Sequence, residues 1–363
     1  NASGCPVVSL DIPSGLDGDT GAVPGAVVQA DLTVTMALPK TGLLSEAGRP
    51  FCGRLRCVDI GFPAAPVAAA PGTGEAIFAA DVRPLLGRRD MAAHKGTFGS
   101  VLVLGGSRLY GGAPLLAGAA ALRAGAGLAT VLRPQGAARF ASPCLSLIVQ
   151  NVPDGGSGFL GPEALPFVAE LASRQQAIVF GPGLGGHPAS GEVLAAVLAA
   201  PLPTVLDADG LRLLAAHPGR AATAAGGLVL TPHPGEMRVL LQGFGLDRWQ
   251  TAPRREQALV LAERAGAVVV LKGLGTVVAA PDGRAWVNTS GSPALATAGT
   301  GDVLAGLLGG WLAQSRDPLA AAILAVFVHG LAGELWSQAI LSMTADDLLG
   351  LIGPALRDLC PLA

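Results

Sequence analysis

Apolar residues in this chain gather into short unbroken runs, separated by Gly-rich polar loops and by longer Ala/Leu-rich stretches. Val101–Leu104, Leu128–Leu132, Ala177–Phe180, Thr204–Leu206, Leu228–Leu230 and Ala267–Leu271 read as strands that are too apolar to alternate, hence buried on both faces. Between them Leu115–Ala126, Ala189–Ala200, Gly210–Ala216, Pro234–Leu241 and Pro253–Ala265 read as helices. A hairpin, Thr276–Ala280 with Ala285–Val287, turns at Pro281-Asp-Gly, and three helices close the chain. The alternation predicts an α/β fold, a mostly parallel sheet with helices on both faces. Ligands of such sheets bind beyond the carboxyl ends of the strands.

Upstream the pattern is sparser. Val7–Ile12, Asp31–Met36 and Arg56–Ile60 read as three strands within residues 6 to 63. So short a piece, about 60 residues, is near the lower limit for an independent core and reads as the end of a larger domain. Residues 64 to 75 are Ala/Pro/Gly-rich, lack apolar periodicity and read as a linker. The expected domains are therefore 1–70 and 76–363.

Composition narrows the function classes. The chain has 363 residues, more than one ordinary domain, and half of them are hydrophobic, enough for a large core. A net charge of −2 gives no reason to expect nucleic-acid binding. Its 52 Gly and 28 Pro form no periodic tract, which excludes collagen-like and low-complexity readings. Cys5, Cys52, Cys57, Cys144 and Cys360 are scattered without a metal-ligand spacing, so we expect no structural zinc and a reducing, cytoplasmic setting. The longest apolar run, Leu319–Val328, is shorter than the ~20 residues of a membrane span and reads as a buried helix, with no membrane partner. The sequence opens at Asn1 without an initiator Met, and we expect a substantial N-terminal part to be missing from it.

The chemistry concentrates in Asn288-Thr-Ser-Gly-Ser-Pro-Ala-Leu-Ala-Thr-Ala-Gly-Thr-Gly-Asp302. This small, polar, Gly-rich stretch runs straight into an apolar helix. Free N–H groups at a helix start, with the dipole behind them, suit phosphate. Gly299 and Gly301 let the backbone approach closely. A carboxylate repels phosphate, so Asp302 beside such a cradle reads as a base that takes a proton from an attacking hydroxyl. Other loops follow strands. Gly105-Gly-Ser-Arg-Leu-Tyr-Gly-Gly-Ala-Pro and Gly181-Pro-Gly-Leu-Gly185 are ligand walls or tight turns. Asp207-Ala-Asp209 either organises Mg²⁺ through water or supplies Asp209 as a helix cap. Thr231-Pro-His233-Pro-Gly-Glu236 holds His233 rigidly at the ligand edge, with Glu236 as a candidate cap. Lys272-Gly-Leu-Gly-Thr276 suits a nucleotide phosphate or ribose, unless Lys272 is only a solvated strand end. Each loop is weak alone; at successive strand ends they converge with Asp302 on one edge.

Residues 76 to 363 resemble the NAD(P)H-hydrate dehydratase family. The resemblance rests on His94-Lys-Gly, Gly181-Pro-Gly-Leu-Gly, Asp207-Ala-Asp, Thr231-Pro-His-Pro-Gly-Glu, Lys272-Gly-Leu-Gly-Thr and Asn288 to Asp302. It implies a ribokinase-like fold and the ADP-driven dehydration of hydrated NADH or NADPH. It also implies hydrate contacts at Ala113, Gly183, Gly185, His233 and Asp302. The nucleotide contacts it implies are Lys272, Gly273, Leu274, Gly275, Thr276 and Gly301, with Mg²⁺ accompanying ADP. Residues 1 to 63 resemble the end of a Rossmann-like NAD(P)H-hydrate epimerase domain, through Asp11-Ile-Pro-Ser-Gly-Leu-Asp17, Ala30-Asp-Leu-Thr-Val-Thr, Pro39-Lys-Thr-Gly-Leu and Asp59-Ile-Gly. There the resemblance implies that Asp11 serves substrate and Ser14 a potassium ion, but the expected upstream Gly-rich loop is absent. We therefore expect dehydration of one epimer without interconversion of the two, and a homo-oligomer. A ribokinase-like small-molecule kinase, of the hydroxyethylthiazole or hydroxymethylpyrimidine type, is the nearest alternative, and a non-catalytic nucleotide sensor is a more distant one.

Overall fold

The computed structural model describes residues 4–69, 74–87, 89–140, 142, 144–337 and 342–360. Two sheets organise it. The first is three-stranded and parallel, in the order β1 (Val8–Leu10), β2 (Leu32–Met36), β3 (Arg54–Val58). The second has ten strands: β4 (Glu75–Ile77), β5 (Ser100–Leu104), β6 (Leu128–Pro134), β7 (Ile148–Val152), β8 (Ala177–Phe180), β9 (Thr204–Leu206), β10 (Leu228–Leu230), β11 (Val268–Leu271), β12 (Val277–Ala279) and β13 (Ala285–Asn288). Its spatial order is β4-β13-β12-β11-β10-β9-β8-β5-β6-β7. Only the pairs β11/β12 and β12/β13 are antiparallel.

Alternate residues of the central strands enter opposite cores, which explains their unbroken hydrophobicity. Val101, Val103, Val131, Val179, Val205 and Val229 belong to one cluster. Leu102, Leu104, Leu132, Ile178, Phe180 and Leu206 belong to the other. Helices Ala113–Arg123, Thr300–Ser315, Pro318–Ser337 and Ala345–Leu359 contribute to the first face; Leu165–Ala172, Ser190–Ala199, Asp209–Ala216, Pro234–Gly243 and Arg254–Ala265 contribute to the second. Small residues bring helix Thr300–Ser315 unusually close to helix Ala113–Arg123: a Cβ added to Gly306 would stand 2.0 Å from the Ala117 carbonyl oxygen.

After the edge strand β4 the chain crosses to the middle of the large sheet at β5, runs outward to β7, then returns to β8 and proceeds the other way. The loops after β5 and β8 therefore part at a topological switch point, where a crevice opens. They also touch, since Gly106 N donates to the Pro182 carbonyl at 2.9 Å.

Four expectations change. Within the expected linker, Ala64–Ala69 is helical and Glu75 begins β4, which pairs in parallel with β13; residues 70–73 lie outside the described residues. A three-residue strand is too short to show a period. β7 was not foreseen, because as an edge strand it keeps Gln150 and Asn151 in an otherwise apolar run. Helix Leu165–Ala172 was also missed; Pro166 in its first turn reads as a breaker although it is tolerated there. Finally, the apolar run Leu319–Val328 is part of a longer helix, and Pro318–Trp336 is long and apolar enough to cross a membrane. It lies within the fold, with Ala321, Ala322, Ala325 and Val328 at 0–1% exposure.

Candidate active site

The carboxyl ends of β9, β10 and β11 build the first half of the site. Asp207, 2% exposed, accepts hydrogen bonds at Oδ1 from Thr231 Oγ1 (2.7 Å) and Lys272 Nζ (2.8 Å). Lys272 Nζ also stands 3.8 Å from Glu236 Oε2. Burial disfavours the Lys272 ammonium, but Asp207 and then Glu236 outweigh it, so its pKa is raised and it stays charged. Lys272 is thus not the solvated strand end that the sequence allowed.

The Thr-Pro-His-Pro-Gly-Glu loop turns into helix Pro234–Gly243 through a reciprocal cap. Glu236 Oε2 accepts from His233 N at 2.9 Å, while His233 Nδ1 accepts from Gly235 N at 2.9 Å and from Glu236 N at 3.3 Å. An accepting Nδ1 leaves Nε2 as the protonated nitrogen of the neutral ring, on a side chain about half exposed.

Asp302 lies in the first turn of helix Thr300–Ser315. Gly299 precedes that helix with φ 89°, and no side chain caps its start. Thr300 N reaches the Thr297 carbonyl at 3.5 Å and Val303 N the Gly299 carbonyl at 3.1 Å, which leaves the N–H groups of Gly301 and Asp302 for something else. A Cβ at Gly301 would meet only Lys272 Nζ, at 3.5 Å, so the fold itself leaves space there. No hydrogen bond or ion pair among the described residues engages the Asp302 carboxyl. Burial, reinforced by Asp207 and opposed by Lys272, pushes its pKa up to about 7.

The switch-point loops form the second half. Gly183, with φ 65°, faces Ala113: a Cβ there would stand 3.1 Å from the Ala113 Cβ. Gly185 N donates to Asp209 Oδ2 at 2.8 Å. Asp209 therefore does not cap its helix; through Oδ2 it fixes the glycine loop. Ala208 before it takes a strained left-handed φ of 48°. Beside Gly185 the structure adds residues that the sequence did not single out: Phe159 stacks on His187 at 4.9 Å, and Arg108 lies 5.3 Å from the Phe159 ring.

A cavity of about 710 Å³ opens on the Lys272 side. Lys272, Gly273, Leu274, Gly275, Thr276 and Gly301 all line it, as does His329, whose Nε2 donates to the Thr300 carbonyl at 2.8 Å. Burial lowers the His329 pKa to about 4 and keeps that ring neutral. Ala113, Gly183, Gly185, His233 and Asp302 are not among the lining residues; they lie on the loops and helix starts beside it. Asp11 and Ser14 belong to the small sheet. Asp11, with φ 67°, pairs with Lys40 and accepts from Met36 N at 3.0 Å, and the Lys40 hydrogen bond lowers its pKa. Ser14 is exposed. No group of three His, Cys, Asp or Glu side chains suited to a metal ion occurs among the described residues.

Comparison with known proteins decides what this edge belongs to. Residues 101–353 match the family described as NAD(P)H-hydrate dehydratase. The chain belongs to the NAD(P)H-hydrate dehydratase family. Residues 1–42 match the YjeF-related protein N-terminus. The bifunctional NAD(P)H-hydrate repair enzyme Nnr of Moorella thermoacetica is 40% identical over 356 residues, covering 97% of this chain and 67% of the relative. That of Salinibacter ruber is 41% identical over 363 residues, covering 97% and 66%. The chain thus spans about two thirds of the length of these relatives. An ADP/ATP-dependent NAD(P)H-hydrate dehydratase from Bacillus subtilis, co-crystallised with ATP/Mg²⁺, superposes with a TM-score of 0.65 at 31% identity, covering 79% of this chain and 99% of that one. A ribokinase-like superfamily protein from Enterococcus faecalis, 24% identical with a TM-score of 0.66, shows the fold alone and covers 78% and 96%. The large sheet of this dehydratase-family chain is ribokinase-like.

Proposed function

We propose that this chain dehydrates NADH or NADPH hydrate at the expense of a nucleoside phosphate, with ADP as the donor. The hydroxyl at C6 of the hydrated nicotinamide gives its proton to Asp302 and attacks the terminal phosphorus of ADP, and AMP leaves. The C6–O bond then breaks with help from the ring nitrogen, C5 gives up a proton that the departing phosphate or water takes, and the C5–C6 double bond returns, so hydrate and ADP become NAD(P)H, AMP and phosphate. The observation that carries this reading is Asp302: an unengaged carboxyl with a pKa near 7, at an uncapped helix start beside Lys272. A base tuned near neutrality is what proton removal at physiological pH requires.

The chain's own groups divide the remaining work. The N–H groups after Gly299 receive the transferring phosphoryl oxygens, and Lys272, held charged by Asp207, faces the same space. His233 Nε2, Ala113, Gly183 and Gly185 border the hydrate on the other side of Asp302. Mg²⁺ would neutralise nucleotide phosphates here. Asp207 and Glu236 are both taken up by Lys272, so the ion would be held by phosphates and water rather than by a protein cage.

In this reading residues 1–70 belong to the epimerase unit and 76–363 to the dehydratase. The match of residues 1–42 and the bifunctional relatives support epimerisation of the two hydrates in the whole protein. A potassium ion at Ser14 has only the resemblance behind it: Ser14 is exposed, and no step is assigned to the ion. The same reading includes a homo-oligomer and a cytoplasmic setting, for which the scattered cysteines of the sequence are the only support. The test is hydrated NADH with ADP or ATP, read as recovery of the dihydronicotinamide absorbance. Absence of recovery, with phosphorylation of hydroxyethylthiazole or hydroxymethylpyrimidine instead, would replace the dehydratase by a kinase.

A further inference from the structure

The cavity beside Lys272 is not built by the large sheet alone. Gln29, Ala30, Arg49, Pro50, Gly53 and Arg54, all from the small N-terminal unit, line it as well. Three links fix them there. Arg49, 7% exposed, donates through Nη2 to the Thr289 carbonyl at 2.8 Å and through Nη1 to the Gly53 carbonyl at 2.5 Å. It thereby joins the N-terminal unit to the Asn288–Ser292 stretch. Arg54 Nε lies 3.7 Å from Glu334 Oε2, and Glu334 Oε1 in turn accepts from Gly291 N at 2.9 Å. Glu46 Oε1 stands 3.3 Å from Arg254 Nε. The Arg254 guanidinium grips the carbonyls of Leu271, Lys272 and Leu274 at 2.9, 3.0 and 2.5 Å, the backbone of the Lys-Gly-Leu-Gly loop.

These links approach the cavity at two places. Glu46 acts through Arg254 on the loop that carries Lys272. Arg49 and Arg54 act on the Ser290–Ser292 stretch and on Glu334. Glu334 lies five residues beyond His329 on one helix, about 7.5 Å along its axis. Because His329 holds Thr300, at the start of the phosphate-facing helix, Arg54 and Glu334 mark a part of the cavity away from the phosphoryl end. A volume of about 710 Å³ is within the range of small-molecule sites and leaves room for the nucleoside portion there.

We propose that residues Gln29 to Arg54 of the epimerase-type unit form a wall of the dehydratase's nucleotide cavity, with Arg54 and Gln29 contacting the nucleoside half of a nucleoside diphosphate. The wall makes nucleotide affinity a property of both units. It rests on the proposed function for the identity of the ligand, not for the geometry.

The test uses the full chain and reads ADP·Mg²⁺ binding by calorimetry, separately from turnover. Arg54 is partly exposed and Gln29 lies at the surface, and thermal unfolding and near-UV circular dichroism of Arg54→Ala and Gln29→Trp check that the fold and the packing of the two units are kept. Each should weaken ADP binding, Arg54→Ala by roughly 10- to 100-fold for loss of a charged hydrogen-bond donor. The Michaelis constant for ADP should rise in parallel, with kcat and the hydrate KM within about twofold of wild type. Arg54→Lys should recover part of the affinity. ADP affinity unchanged in both variants would overturn the wall, and so would an equal loss of hydrate and ADP binding, which marks a merely structural role. If the wild type binds ADP but does not repair the hydrate, the functional reading fails while the binding comparison still decides the wall.

Discussion

Lowering the pH should switch the enzyme off over a range in which an ordinary carboxylate would still be ionised. The perturbation is protonation of Asp302, whose pKa is about 7 instead of 3.8, first through burial and then through Asp207, with Lys272 opposing. The direction follows from the role: a base works only when deprotonated, so activity is present above the pKa and is lost as pH falls through it. With a pKa of about 7, the ionised fraction is about a half at pH 7, about a tenth at pH 6 and about a hundredth at pH 5. A carboxyl of ordinary pKa would remain more than about nine-tenths ionised at pH 5. Nucleotide phosphates beside Asp302 add like charge and move the limb upward, not downward. The assay is the initial rate of dihydronicotinamide recovery against hydrate concentration at saturating ADP, from about pH 5 to pH 8.5, plotted as kcat/KM. The expected profile rises about tenfold per unit below neutrality. Lys272→Met should shift that limb to higher pH, since Lys272 is the neighbouring charge that lowers the Asp302 pKa. A flat profile between pH 5 and 8, or the same limb in Asp302→Asn, would refute the assignment of Asp302 as the base.

Three further outcomes follow from the geometry. Asp302→Asn should reduce kcat by ~10²–10⁴-fold while leaving the calorimetric ADP affinity near wild type, because the amide keeps the size but not the basicity; near-normal kcat would remove the base. His233→Ala should weaken the hydrate more than ADP, but it also deletes a helix cap that contributes about 0.5–2 kcal/mol, so His233→Asn, which still caps, is the discriminating variant in hydrate and ADP titrations. Gly306→Ala forces a methyl to 2.0 Å from the Ala117 carbonyl and should lower stability in chemical denaturation by about 1–3 kcal/mol or more; an unchanged midpoint would mean that the two helices separate freely.

The hydrophobic pattern by itself determined the central sheet. β5, β8, β9, β10 and β11 are legible because both of their faces are buried, so apart from Ser100 and Thr204 at strand starts their residues are apolar and no alternation is needed. Glycine and proline at the strand ends marked the loops after them, because the backbone conformations there are local requirements. Edge elements were not legible: β4 and β7 are held by pairing with distant strands rather than by their own composition. The same division holds within the site. The sequence singled out Lys272, Asp302 and His233, but it left Lys272 open as a solvated strand end. Only the tertiary structure places Lys272 between Asp207 and Glu236, because the three come from different strand ends brought side by side by the sheet order. The Asp302 pKa is likewise a consequence of burial and of charges on other loops, Asp207, Lys272 and Glu236, that are distant in sequence. Arg49, Arg54 and Arg254 sit in unremarkable surroundings along the chain; their grip on the cavity arises because the small unit packs against the loops of the large one, which no local pattern encodes.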